Sequence, residues 1–375
     1  MTLNLDDVRQ QIDAVDRELI EVVRKRLNLV QQVGVIKSKI GTPVYVPERE
    51  KQLLTKRRAE AEALNVSPDL IEDILRRLMR ESYTAEHGVG FKCLNPSLKK
   101  IVIIGGRGGM GRIFTKFFQL SGYHVEVMGS KDWDKQETIF KDAGLVIVSV
   151  PIDRTESIIK KLDFLSEDCI LADFTSTKSK PLAQMLETHK GPVVGLHPMF
   201  GPDISTLVKQ LIIWCEGRFD EKCQWLYEQM QLWGASLLRI EASKHDEAMS
   251  YIQALRHFTT FSYGVFLSNE NPDLKNIMDL SSPIYHMELM MVGRLFAQDP
   301  QLYADIILSN SHNLEIIEKY RDSITEAIKL IKNKERDVFI EEFKNAKSYF
   351  GEYAEMFIHE SKNLLAKMHD AKSDE

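Results

Sequence analysis

Apolar residues recur every three or four positions through the first part of the chain: Leu5, Val8, Ile12, Val15, Leu19, Val23, Leu27, Val30 and Val33. This is the period of one helical face, and it predicts a single amphipathic helix of about 35 residues, ~50 Å long. The stripe stops near Gly41, and Pro43 fits a helix that has ended. Pro47 followed by Glu48 predicts a second helix. Ser67-Pro68-Asp69 predicts a third, with an N-cap, a proline in the first turn and an early acid. Its stripe is Leu70, Ile71, Ile74, Leu75 and Leu78. Three helices of such unequal length cannot cover the long stripe alone, so a second copy is expected to pair with it in a homodimer.

The pattern changes after a linker containing Gly88, Gly90 and Asn95-Pro96-Ser97. Short apolar runs at 101–104, 124–128, 145–150, 169–172, 193–196 and 211–215 alternate with helical stretches. That alternation implies βαβ units and a mostly parallel, doubly wound sheet. Strand-like runs stop at about Ile240. The remainder reads as helices broken near Asn271-Pro272, Ser282-Pro283 and Asp299-Pro300, with a tail at 371–375 expected to fray. The expected organisation is multidomain: an all-α front at 1–90, an α/β Rossmann-type dinucleotide-binding domain at 99–242 and an all-α region at 243–371.

Composition narrows the class. Hydrophobic residues are 43% and charged residues 28% of 375, which excludes a disordered or collagen-like chain. No run of about 18 apolar residues exists, so no membrane partner is expected. The opening MTLNLDDVRQQIDAVD is acidic and amphipathic, unlike an export leader, and a cytoplasmic location is expected. Cys93, Cys169, Cys215 and Cys223 lack metal-ligand spacing and read as reduced thiols; no metal is expected. A net charge of −6 carries no nucleic-acid signal. Ten of the 19 arginines lie in the first 90 residues, where 15 cations face 15 acids. A neutral helical module rich in arginine suits bidentate capture of carboxylates, although most of these arginines read as surface ion pairs.

Lys100-Ile101-Val102-Ile103-Ile104 runs into Gly105-Gly106-Arg107-Gly108-Gly109-Met110-Gly111. Gly106, Gly108 and Gly111 form a G-x-G-x-x-G fingerprint between a strand and a helix. The first is expected to make the tight turn, the second to admit the pyrophosphate, and the third to let helix and strand pack closely. Asp132 either holds the ribose hydroxyls, with Trp133 flanking the adenine, or caps the next helix. Ser130 and Lys131 leave NADP open beside NAD. Ligands of such sheets lie at the carboxyl ends of the strands. Ser149-Val150-Pro151, then Ser176 and Lys178, then His197 follow successive strands and read as the rim of an active site.

These residues carry a family resemblance. The matching segments run from Gln11-Ile12-Asp13 through Gly34-Val35-Ile36-Lys37, then Val46-Pro47-Glu48-Arg49-Glu50. Gly195-Leu196-His197-Pro198-Met199-Phe200-Gly201-Pro202 and Ala254-Leu255-Arg256-His257-Phe258 follow, and then Gly293-Arg294-Leu295-Phe296-Ala297-Gln298-Asp299-Pro300. Over essentially its whole length the chain resembles the enterobacterial-type T-proteins, the bifunctional chorismate mutase/prephenate dehydrogenase family of tyrosine biosynthesis.

The resemblance implies a mutase in the front domain, rearranging chorismate to prephenate. That chemistry needs a compact dicarboxylate conformer and donors at the ether oxygen, without nucleophile or proton transfer. By similarity Arg9 of the partner chain and Arg26 grip carboxylates, Lys37 donates to the ether oxygen, Glu50 binds the ring hydroxyl, and Ser82 and Glu86 complete the pocket. Two residues depart from the small stand-alone mutases: Val46, where they can carry a carboxylate, and Glu86, where some carry Gln. Glu86 donates a hydrogen bond only when protonated. The rest of the chain is implied to oxidise prephenate with NAD⁺, releasing CO₂ and 4-hydroxyphenylpyruvate. His197 is the implied base and Arg294 the anchor for the ring carboxylate, while Ser176, Lys178, His257, Gln298 and Tyr303 line the pocket. The helical C-terminal region is implied to dimerise, and tyrosine to act as a feedback inhibitor. Arogenate remains open as a substrate. So do another β-hydroxyacid-type dehydrogenase with a non-catalytic front, and a nucleotide-sensing dimer without turnover.

Overall fold

A computed structural model describes residues 4–372. The front of the chain forms α1 (Leu5–Ile40), α2 (Pro47–Ala63) and α3 (Pro68–His87). The Asn4 side chain accepts from Asp6 N–H at the start of α1, and Gly41, at φ 80°, closes its end by donating to the Lys37 carbonyl at 2.8 Å. Ser67 caps α3 by accepting from Leu70 N–H. Gly34 brings α1 against α3, because a Cβ there would lie 3.3 Å from Glu86 Cα. Leu5, Ile12, Val15 and Leu19 are all more than half exposed within one chain.

The middle of the chain is β1 (Lys100–Ile104), α4 (Gly109–Leu120), β2 (Val125–Met128), a 3₁₀ turn at Trp133–Lys135, α5 (Gln136–Phe140), β3 (Ala143–Val148) and α6 (Ile152–Ile159). It continues through β4 (Ile170–Asp173), α7 (Ser179–Thr188), β5 (Val193–Pro198), β6 (Leu211–Arg218), α8 (Asp220–Leu232) and β7 (Ser236–Arg239). The sheet order is β2-β1-β3-β4-β5-β6-β7. Every neighbouring pair is parallel except β5 with β6. β7 is a strand that the hydrophobic pattern did not predict. Its four residues are mostly exposed, so no apolar run marks it. Two apolar cores cover the two faces of the sheet, one around Phe114, Trp214 and Trp233, the other around Ile104, Val148 and Leu171.

The front bundle does not stand apart from this sheet. Val44 and Phe91 are buried in the same core as Trp214 and Trp233. Val44 N–H donates to the Leu232 carbonyl at 3.2 Å. The chain divides into two compact units between His245 and Asp246, within α9 (Ala242–Met249).

The second unit is helical. A π-helical turn at Ser250–Leu255 leads into α10 (Arg256–Glu270), α11 (Leu274–Leu280), α12 (Pro283–Phe296), α13 (Pro300–Leu308), α14 (Ser311–Asn333), α15 (Arg336–Phe350) and α16 (Glu352–Lys372). The breaks fall at the three predicted proline positions. Asp273, Ser282 and Asp299 each cap the helix that follows by accepting from backbone N–H groups. Of the tail expected to fray, Ala371 and Lys372 continue α16; residues 373–375, like 1–3 at the start, lie outside the described residues. Among the described residues no helix is long and apolar enough to cross a membrane, and no cluster of metal-ligating side chains occurs.

Candidate active sites

Four of the residues expected in the mutase pocket meet between α1 and α3. Lys37 Nζ donates to Glu86 Oε2 at 3.1 Å and to the Val44 carbonyl at 2.9 Å. Arg26 Nη1 donates to Ser82 Oγ at 2.8 Å, one turn before Glu86 on α3. Ser82 and Glu86 are both buried. Burial pushes the Glu86 carboxyl up; Lys37 opposes this, and the net position stays above the usual carboxylate range. Burial likewise pulls the Arg26 guanidinium down.

Glu50 is arranged differently. Its carboxylate accepts from Tyr83 OH at 2.8 Å, Arg76 Nη1 at 3.0 Å and Lys209 Nζ at 2.6 Å. Burial pushes Glu50 up, but Lys209, Tyr83 and Arg76 together hold it below the usual range. A cavity of about 500 Å³ opens beside it, lined by Met79, Arg80, Tyr83 and the segment 203–210. Arg9 lies on exposed α1, 3.6 Å from Asp6, and is not brought to this pocket within one chain.

The glycine loop joins β1 to α4. The tight turn is made by Gly105, at φ 82°, and not by Gly106 as the fingerprint suggested. A Cβ on Gly105 would lie 2.1 Å from the Ser149 carbonyl oxygen, and Val150 also closes on it. Gly111 packs against Gly106, where a Cβ would meet Gly106 Cα at 2.5 Å. Gly108 is the N-cap of α4 and brings no side chain to the helix end, where Gly109 and Met110 begin the first turn. This cradle has the form that a pyrophosphate requires. Asp132 occupies the N-cap position of the 3₁₀ turn, but its carboxylate makes no cap hydrogen bond there and accepts from Gly129 N–H at 2.8 Å. Arg107, from the fingerprint, pairs with it at 2.9 Å. Trp133 packs on the second core with Lys161 Nζ 4.9 Å from its ring centroid, which covers one face of the indole. Ser130 and Pro151 are exposed at the ends of β2 and β3.

His197 lies near the end of β5, and Pro202 beyond it approaches Gly109 so closely that a Cβ there would come within 2.7 Å. The strand therefore delivers His197 to the side of the sheet that holds the glycine loop. His197 is buried, and its Nδ1 lies 2.8 Å from Nε2 of His245, a residue that the sequence did not single out. Ser176 is half-buried in the loop after β4. Lys178, expected on the rim, is fully buried, with Nζ 2.5 Å from Asp173 Oδ2 and donating to the Leu196 carbonyl at 2.8 Å. The buried Asp173 carboxylate draws the ammonium beneath the sheet end, where it braces the residue before His197.

In the second unit, Tyr303 OH donates to Gln298 Oε1 at 2.9 Å, and the His257 ring meets the Tyr303 ring edge-on at 4.8 Å. Three of the expected pocket residues thus form one cluster. Burial, then the Arg256 charge, pulls His257 down to about 4. Arg294 is exposed in the last turn of α12, four residues before Gln298.

Family models match three stretches of the chain: "Chorismate mutase type II" at residues 8–87, "Prephenate dehydrogenase, nucleotide-binding domain" at 124–219 and "Prephenate dehydrogenase, dimerization domain" at 241–345. Among solved structures, the fold is shared with prephenate dehydrogenase from Aquifex aeolicus in complex with hydroxyphenyl propionate and NAD⁺. That match has a TM-score of 0.52 at 20% identity, covering 66% of this chain and 96% of that one. Curated relatives extend over nearly the whole length. The T-protein of Enterobacter agglomerans is 54% identical, covering 99% of this chain and 100% of its own. The T-protein of Haemophilus influenzae is 50% identical, with 98% of each chain covered. With the mutase pocket, the glycine cradle and the helical second unit all present in one polypeptide, the chain belongs to the T-protein family.

Proposed function

We propose that the chain catalyses two consecutive reactions of tyrosine biosynthesis: rearrangement of chorismate to prephenate, and NAD⁺-dependent oxidative decarboxylation of prephenate to 4-hydroxyphenylpyruvate. The observation that carries this reading is the coexistence of the Arg26, Lys37, Ser82 and Glu86 cluster with a glycine loop on which Pro202, in the segment after His197, closes.

In the mutase pocket, Arg26 and the Arg9 of a second copy would bind the two carboxylates and hold the compact conformer. Lys37 and protonated Glu86 would donate to the ether oxygen as negative charge develops there. Glu50 would accept from the ring hydroxyl. The uncovered stripe of α1 and the matched dimerization region support a homodimer, which this use of Arg9 requires.

In the second reaction, bound NAD⁺ supplies the acceptor for the hydride that leaves C4. Gly105, Gly106, Gly108 and Gly111 form the cradle that would hold its pyrophosphate, and Asp132, ionised beside Arg107, would face the ribose. His197 would take the proton of the C4 hydroxyl. Its Nδ1 contact with His245, at 2.8 Å, supports a fixed orientation of the ring. Arg294 would anchor the ring carboxylate, with Gln298, Tyr303, His257 and Ser176 as further substrate-binding residues. Lys178 would act only by bracing β5. Carbon dioxide leaves as the ring becomes aromatic, which supplies the driving force. Tyrosine, which shares the product's ring, would inhibit by occupying the same cleft, and the expected location is the cytoplasm.

Two variants of the full chain test the reading. Lys37→Ala should abolish the mutase and spare oxidation of added prephenate. His197→Asn should cut oxidation by about 10²–10⁴ and spare the mutase. Parallel loss of both activities in either variant would contradict separate sites.

A further inference from the structure

Glu50, expected by resemblance in the mutase pocket, is held in part by a residue of the nucleotide-binding domain. Glu50 is buried on the first turn of α2, and its shortest contact is Lys209 Nζ at 2.6 Å, from the segment just before β6. Lys209 adopts the left-handed conformation, at φ 63°, which a residue with a Cβ rarely takes. Its N–H donates to the Gly234 carbonyl at 3.0 Å, which ties it to the turn after α8. The ammonium also lies 5.0 Å from the centroid of the Tyr45 ring. An aromatic face, a carboxylate and a fixed backbone therefore converge on one lysine. A strained residue held so firmly points to a function.

A second thread runs alongside. Lys37 Nζ donates to the Val44 carbonyl, and Val44 N–H donates to the Leu232 carbonyl at the end of α8. Both threads end on the same turn, at residues 232–234.

We propose that Lys209 is a positioning residue of the mutase reaction, supplied by the dehydrogenase half of the chain: it holds the Glu50 side chain aimed at the ring hydroxyl of chorismate. The inference rests on the role given to Glu50 above. Tyr83 and Arg76 also hold Glu50, but both belong to α3 and move with the front bundle. Lys209 is the contact that makes the geometry of Glu50 depend on the other domain. The ring hydroxyl takes no part in the bonds made and broken, and a contact held equally in ground and transition states falls on KM rather than kcat.

The experiment is steady-state mutase kinetics on the full chain with Lys209→Met, Lys209→Arg, Glu50→Gln and the double variant Lys209→Met/Glu50→Gln. Oxidation of added prephenate is measured on each as a check of folding. Lys209→Met should raise KM for chorismate about tenfold, the scale of a hydrogen bond to a charged group, with kcat changed less than threefold. Lys209→Arg should recover most of the loss. In the Glu50→Gln background, Lys209→Met should change KM less than twofold, because the group it acts through is gone. Oxidation should stay within twofold throughout. If Glu50→Gln lowers mutase efficiency while Lys209→Met leaves it unchanged, or if the two effects multiply, Lys209 does not position Glu50. If Glu50→Gln leaves the mutase unchanged, the role of Glu50 itself fails and the proposal falls with it. Parallel loss of both activities in Lys209→Met would overturn it as well, by showing a merely structural lysine.

Discussion

Replacing Glu86 with Gln isolates the carboxyl of the mutase pocket that must be protonated to donate. The carboxyl is only 6% exposed, with Lys37 Nζ 3.1 Å away. Burial raises its pKa, Lys37 resists, and burial prevails. Only the protonated carboxyl can donate to the ether oxygen, so the active fraction of wild type falls tenfold for each pH unit above that pKa, or ~1.4 kcal/mol per unit. On a logarithmic plot, mutase kcat/KM should approach a slope of −1 on the alkaline side. Glu86→Gln donates at every pH, so its profile should be flat from about pH 5 to 8.5. The ratio of variant to wild type should grow with pH and pass one. Glu86→Ala, which has no donor, should be lower by about 10²–10³ at acidic pH, where wild type is protonated. Stability carries the same sign. A carboxyl whose folded pKa is raised contributes stability below its unfolded pKa that is lost as pH rises through the folded value, and Glu86→Gln should remove that slope. The assay is chorismate consumption across pH at constant ionic strength, with oxidation of added prephenate as the folding control. A flat wild-type profile, or a Glu86→Gln profile that keeps the wild-type slope, would refute the assignment.

Three further outcomes are expected. Arg294→Gln should raise KM for prephenate by about 10–100-fold with a smaller change in kcat, since a charged hydrogen bond to a carboxylate is lost, and steady-state kinetics against arogenate should show whether the same anchor serves that substrate. Lys178→Met should destabilise the chain by about 3–5 kcal/mol in denaturant unfolding, because the buried Asp173 carboxylate loses its partner; adding Asp173→Leu should recover much of this. His257 is held down at about 4, so its neutral form contributes stability above the unfolded value of about 6.5 that is lost as pH falls towards 4. His257→Asn should weaken the acid sensitivity of thermal unfolding in that window, while leaving stability at pH 8 nearly unchanged by proton linkage.

The elements of the fold were legible where local chemistry specifies them. The proline and cap positions at 47, 67–68, 283 and 300 place helix starts that the structure reproduces, because each cap acts within one turn. The apolar runs from 101–104 to 211–215 found six strands, whereas β7 is mostly exposed and left no pattern. The glycine run pointed to the turn but gave the positive φ to Gly106, since sequence spacing cannot tell which of two adjacent glycines turns. Long-range pairings were not legible. His245 reaches His197 across 48 residues, and Lys209 reaches Glu50 across 159. The ion pair of Lys178 with the buried Asp173 left no mark in the sequence, where Lys178 reads as a rim residue. The resemblance supplied what spacing could not: a proposal for which of the ten arginines in the front bundle face a ligand.

The central claim is that one polypeptide passes chorismate through prephenate to an oxidised product. It is tested most directly by incubating the purified full chain with chorismate and NAD⁺ alone, following NADH and 4-hydroxyphenylpyruvate together. The account predicts that both accumulate in equal amounts after a lag in which prephenate rises, that His197→Asn stops at prephenate, and that Lys37→Ala makes neither product until prephenate is added. Prephenate accumulating in the wild type without NADH, or no consumption of chorismate at all, would contradict it.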